Sequence, residues 1–191
     1  MSALTLATAS AAYADPSSSA VAPTAVADPI SYSASDAAFS LRPVGTYSSG
    51  VFNESAAEIV AFHAATERLF VVNAQAGAID VLSTANPAAP IKVGTLAASS
   101  IAGIPDGAVA NSIAVRPDGL LVVAVESPDE VSNGWLAFFN ASTLAGIGSV
   151  QVGALPDMVT LTKDGTRAVV ANEGEPADDY TVDPEGSIAV V

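Results

Sequence analysis

A chain of 191 residues, half of them hydrophobic, is long and apolar enough to bury a sizeable core, which excludes a largely disordered protein. Twenty acidic residues against six basic ones leave a net charge of −14, which excludes nucleic acid as a partner, because binding phosphate backbones depends on Lys and Arg. The absence of cysteine excludes disulfides, thiolate metal sites and cysteine nucleophiles.

Residues 1–14 are small and apolar and end in Ala12, Tyr13 and Ala14 ahead of Asp15 and Pro16, the small-x-small pattern of a signal-peptidase site. They predict a leader and therefore an extracytoplasmic protein, secreted or attached to the cell surface. The basic segment that opens such a leader is absent, so the natural start is expected further upstream. Residues 15–40 are rich in Ala, Ser and Pro, with Pro16, Pro23 and Pro29 spaced through them, and read as a linker. No other stretch approaches the roughly 18 uninterrupted apolar residues of a membrane span.

From residue 41 to 191 short β-branched runs alternate with Gly, Pro, Asn and Asp, the texture of many short strands. Three segments share one layout of strand, tight polar turn, second strand ending in a polar residue, loop and third strand. They run Glu58–His63, Arg68–Asn73 and Ala78–Leu82; then Asn111–Val115, Leu120–Glu126 and Trp135–Phe139; then Asp157–Thr162, Thr166–Asn172 and Ser187–Val191. The turns Arg116-Pro-Asp-Gly119 and Lys163-Asp-Gly165 suit hairpins, since Asp bonds its own backbone and Gly accepts positive φ. Fourth strands are expected near Ile91–Leu96 and Ile147–Val152. A period of roughly 46 to 54 residues matches four-stranded antiparallel propeller blades of the YVTN or WD40-like kind, and a β-sandwich would not need such self-similarity.

The expected fold is therefore all-β: an incomplete β-propeller with about two and a half to three blades. A ring takes about four to eight blades, and the sequence stops inside the apolar run Ile188–Val191, so the remaining blades of the same propeller are expected as partners.

Loops after the second strands should share one face. Asn73, Glu126 and Asn172 close their strands in register, and the segments Glu126–Glu130 and Asn172–Asp179 add carboxylates, with Asp106 and Asp157 ahead of the first strands of their repeats. Oxygen-rich loops of this kind suit calcium or another divalent cation. The candidate metal ligands are Glu126, Asp157, Asn172, Glu173, Glu175 and Asp178, although no EF-hand spacing is present. No catalytic residue is assigned. His63 reads as a packed or surface histidine, Trp135 and Phe138–Phe139 as packing between blades, and neither a Gly-x-Ser-x-Gly elbow nor a phosphate-binding Gly-rich loop occurs.

The stretches Val152-Gly-Ala-Leu-Pro-Asp-Met-Val159, Val170-Ala-Asn-Glu-Gly-Glu-Pro176 and Asp183-Pro-Glu-Gly-Ser187, together with Asn111-Ser-Ile-Ala-Val115 and Val123-Ala-Val-Glu126, resemble the choice-of-anchor I family of exported propeller proteins. The resemblance covers roughly 41–191 and implies a larger surface-attached protein, of a kind labelled alkaline phosphatase-like or surface-glycoprotein-like. It carries over no catalytic set. Two functions follow as expectations: an extracellular binding module for an unknown ligand, stabilised by calcium, or a metal-dependent phosphoesterase acting on a small phosphorylated substrate through metal-activated water.

Overall fold

The computed structural model describes residues 34–39, 41–51 and 56–191. The leader predicted at 1–14 and most of the linker predicted at 15–40 lie outside the described residues.

Eleven strands form three antiparallel sheets, and no α-helix occurs among the described residues. The first sheet contains β1 (Val60–His63), β2 (Arg68–Asn73), β3 (Ala78–Ser83) and β4 (Ile91–Ala97), each strand paired with the next in sequence. The second repeats this up-and-down order with β5 (Val109–Val115), β6 (Leu120–Glu126), β7 (Asn133–Asn140) and β8 (Gly146–Ala154). The third has β9 (Pro156–Leu161), β10 (Ala168–Asn172) and β11 (Ser187–Val190), with β10 central. The repeat read from the sequence is thus present as three like sheets, and β2 and β6 begin and end where their apolar runs do.

Local chemistry explains the hairpins. Between β5 and β6, Gly119 takes φ +93° while Arg116 N donates to Leu120 O at 2.8 Å. Between β9 and β10, Asp164 accepts from Thr166 N at 3.1 Å and Gly165 takes φ +66°. The β1–β2 connection lacks Gly and closes through a 3₁₀ turn at Ala64–Thr66, with Glu67 left at φ +51°.

Packing follows strand alternation. Along β6, Leu121, Val123 and Val125 join Phe70, Val72, Ile79 and Val81 of the first sheet in one core, while Val122 and Ala124 join Val159, Ala168 and Val170 of the third sheet in another. Strand β7 divides likewise, Phe139 entering the first core and Leu136 the second. The middle sheet is buried on both faces, which is why β6 reads as an unbroken apolar run instead of an alternating one. Trp135 packs at the edge of the first core and Phe138 at the edge of the second. Tight spots need glycine: a Cβ on Gly134 would overlap the Val125 carbonyl oxygen and the Pro156 ring.

Strand direction sorts the connections. The segments 74–77, 98–108, 127–132 and 173–186 emerge at one end of the sheets, and 64–67, 84–90, 116–119, 141–145 and 162–167 at the other.

Candidate functional site

The first end is acidic at its second- and third-sheet connections. Its connections hold the carboxylates of 127–132 and 173–186 and contain no Lys or Arg. The basic residues of the sheets and their connections, Arg68, Lys92, Arg116, Lys163 and Arg167, lie at or beside the opposite end. Sequence reading placed the carboxylates in loops after the second strands, and antiparallel pairing puts those loops on one side.

Glu126 ends β6 half-buried, and its carboxylate accepts from Asn111 Nδ2 on β5 at 2.7 Å. The same nitrogen reaches Pro156 O at 3.3 Å, so Asn111 ties Glu126 to the first residue of β9, next to Asp157. Burial pushes the Glu126 carboxyl above its ordinary range; the Asn111 bond opposes this, and the charges of Glu130, Asp157 and Glu175 add to it. Glu173 is exposed, with its backbone N donating to Leu155 O at 2.8 Å. Its carboxyl is raised first by Asp157, then by desolvation and Glu175. Four of the candidate ligands, Glu126, Asp157, Glu173 and Glu175, therefore share one electrostatic neighbourhood.

The other two are placed differently. Asn172 is buried, its Nδ2 donating to Ser187 Oγ at 3.1 Å, with its amide pressed against Gly153 of β8. These contacts join it to β8 and β11. Its Oδ1 is buried without a hydrogen-bond partner among the described residues. Asp178 lies exposed in the turn at the tip of the 173–186 loop, where Ala177 N donates to Val182 O and Tyr180 N to Ala177 O, both at 2.8 Å. Among the described residues, no three His, Asp or Glu side chains gather closely enough to hold a metal ion.

Asn73, the register mate of Asn172, is also committed to structure: Nδ2 donates to Asp80 Oδ2 at 3.2 Å and Oδ1 accepts from Ala76 N at 3.2 Å. His63 is buried at the first–second sheet junction, Nδ1 2.9 Å from Thr66 Oγ1 and Nε2 3.3 Å from Pro117 O. At the basic end, an open cleft of about 370 Å³ between the 116–119 and 162–165 turns is lined by Arg116, Asp118, Lys163 and Asp164. There Arg116 is matched by Asp118 at 2.7 Å, which holds that carboxyl down to about 2.

Sequence reasoning counted Glu130 among the loop carboxylates that follow β6 but did not single out Asn111. Glu130 had a usable signal, since Asp129 accepts from Ser132 N at 3.0 Å in a Ser-Pro-Asp-Glu turn that keeps Glu130 near the strand end. Asn111 had none, because only β5–β6 pairing brings it to Glu126.

The family model of the choice-of-anchor I domain matches residues 58–191. No curated protein matches the sequence. Among solved structures, a luciferin-regenerating enzyme superposes with a TM-score of 0.56 at 12% identity over 73% of this chain and 46% of its own. A protein from Bacteroides fragilis NCTC 9343 assigned as a 6-phosphogluconolactonase gives 0.52 at 15% identity, over 80% of this chain and 44% of its own. A protein from Lactobacillus plantarum gives 0.50 at 20% identity, over 80% and 45%. At these identities the likeness is one of fold, and this chain spans less than half the length of each structure.

Proposed function

The chain belongs to the choice-of-anchor I family, and from that premise we propose that it is a cell-surface-associated binding module whose three sheets are consecutive blades of a β-propeller presenting an acidic ligand face. Propeller-like solved structures and the threefold up-and-down sheet repeat support the architecture. The observation that carries the function is the segregation of charge: every connection at one end is free of Lys and Arg, and its carboxylates raise one another's pKa. A surface built that way selects cationic ligands and repels anionic ones.

Calcium belongs to the same reading. Glu126, Asp157, Glu173 and Glu175 supply hard oxygen ligands, and a divalent cation among them would relieve their repulsion. Since no three are gathered at metal-holding distance, binding requires the 173–186 loop to draw in, which sets an expected affinity in the roughly 0.1–1 mM range of extracellular calcium modules. The phosphoesterase alternative has no observation in its favour, as the side chains that would receive a phosphate sit at the opposite end.

The test is calorimetric titration of calcium into the full chain and into a variant carrying Glu173→Gln and Glu175→Gln. The variant is expected to bind about tenfold more weakly. Equal affinity in the two proteins would remove the acidic end as the binding face, and no calcium heat in either would remove the cation from the proposal. Surface biotinylation of source cells checks the location: a labelled protein is expected, and one reached only after lysis contradicts surface association.

A further inference from the structure

The first strand of every sheet carries an extra residue at one level near the acidic end. Arg68, Leu120 and Arg167 open the second half of each hairpin, and four residues on stand Val72, Ala124 and Ala171. Ala124 pairs with Ser112 and Val125 with Ala110, which leaves Asn111 without a partner across the ladder. Ala171 pairs with Met158 and Asn172 with Pro156, which leaves out Asp157. In the first sheet Val72 N donates to Ile59 O at 2.8 Å while Glu58 N donates to Val72 O at 3.0 Å, so Val72 meets two residues. A bulge of this kind re-aims a side chain. In the first and third sheets the extra residue is a carboxylate, Glu58 or Asp157, and only the middle sheet places an amide there.

Strict alternation would send Asn111 and Ser112 to opposite faces of β5. Both instead meet the third sheet: Ser112 Oγ accepts from Val159 N at 3.2 Å, and Asn111 Nδ2 donates to Pro156 O at 3.3 Å. The other proton of that nitrogen goes to Glu126 Oε2 at 2.7 Å. Both Nδ2 protons are thereby committed, and the orientation of the amide is fixed, because its oxygen in the same place would face two acceptors. Pro156 is a rigid anchor, since it is fully buried and its ring lies where a Cβ on Gly134 would overlap it. Glu126 follows Val122 and Ala124 on the face of β6 turned to the third sheet. A carboxylate at position 111 would repel it, whereas the amide holds it. Asp157 comes directly after the anchor residue, and its charge reaches Glu126. Resting on the reading of the acidic end as a cation-binding face, we propose that Asn111 is its positioning residue: it clamps the Glu126 carboxylate to β9 beside Asp157, so that one cation meets carboxylates from two sheets. Asn111 acts on the cation through Glu126.

The experiment is calcium titration of the full chain followed by heteronuclear NMR, for the wild type, Asn111→Ala, Glu126→Ala and the double variant. Asn111→Ala is expected to weaken calcium binding by about tenfold, as loss of a residue that orients a ligand does. In the Glu126→Ala background the same substitution is expected to change affinity by less than about twofold, because the clamp then holds nothing. An equal loss in both backgrounds marks Asn111 as general support for the fold and overturns the proposal. The side-chain amide of Asn111 gives a readout that needs no calcium. In the wild type its two Nδ2 protons are expected to resonate away from those of exposed asparagines, and Glu126→Ala is expected to move the one that faces the carboxylate. Signals at the positions of exposed asparagines overturn the clamp itself, even where Asn111→Ala fails to fold. No calcium response in the wild type, with the amide signals still displaced, overturns the two-sheet cation seat together with the reading it rests on, and so differs from failure of the clamp.

Discussion

Glu126 shows how a single side chain is set by neighbours distant in sequence. Its place at a strand end is visible in the run Leu120–Glu126, but its half-burial and its bond from Asn111 come from pairing and packing. A carboxyl whose folded pKa is raised gives stability that is fully present below its unfolded pKa and is lost as pH rises through the folded value. At neutral pH the native state therefore carries a penalty that acid removes. Glu126→Gln keeps an acceptor for Asn111 and removes the charge, so it is expected to raise Tm by about 1–2 °C at pH 7, a small effect for a half-exposed group. Below about pH 4, where the carboxyl is protonated in both states, no gain is expected. Scanning calorimetry at the two pH values checks this, and an equal gain at both would show that charge is not the cause. Asn172 makes the complementary point: a polar residue after an apolar run signals a strand end, and only the contacts with Ser187 and Gly153 show that its amide is committed to structure.

At the level of elements, the strands were largely legible. Apolar runs gave β2, β5, β6, β9 and β10 to within two residues, and Asp-Gly turns marked the β5–β6 and β9–β10 hairpins, since the hairpin chemistry is local. The 3₁₀ turns at Ala64–Thr66, Ala74–Ala76 and Ala98–Ser100 and the bulge at Ala171/Asn172 were not, because short helical turns and register slips depend on what closes over them. The middle sheet carries the stability consequence. Phe139 is 1% exposed in the first core, so Phe139→Ala is expected to cost about 3–5 kcal/mol, measured by urea unfolding. A cost below about 1 kcal/mol would mean that the middle sheet is not packed on its neighbour as described.

At the scale of the molecule the dominant quantity is charge and its placement. With −14 overall and the carboxylates concentrated at one end, self-repulsion opposes the folded state at low ionic strength. Raising NaCl from about 0.01 to 0.5 M shortens the screening length from about 30 Å to a few ångströms, and Tm is expected to rise by about 3–6 °C in thermal melts. A flat salt response would show that the acidic loops stand too far apart to repel.

The amino-acid sequence by itself determined the all-β class, the threefold strand repeat, the family and the acidic character of the loops, because strand periodicity, turn chemistry and net charge are properties of residues close together along the chain. Tertiary structure alone decided which carboxylates share a neighbourhood, that Asn73 and Asn172 brace the fold, and that the middle sheet is packed on both faces. Those outcomes depend on how sheets pack side by side, and packing joins residues whose separation in the chain carries no local signal.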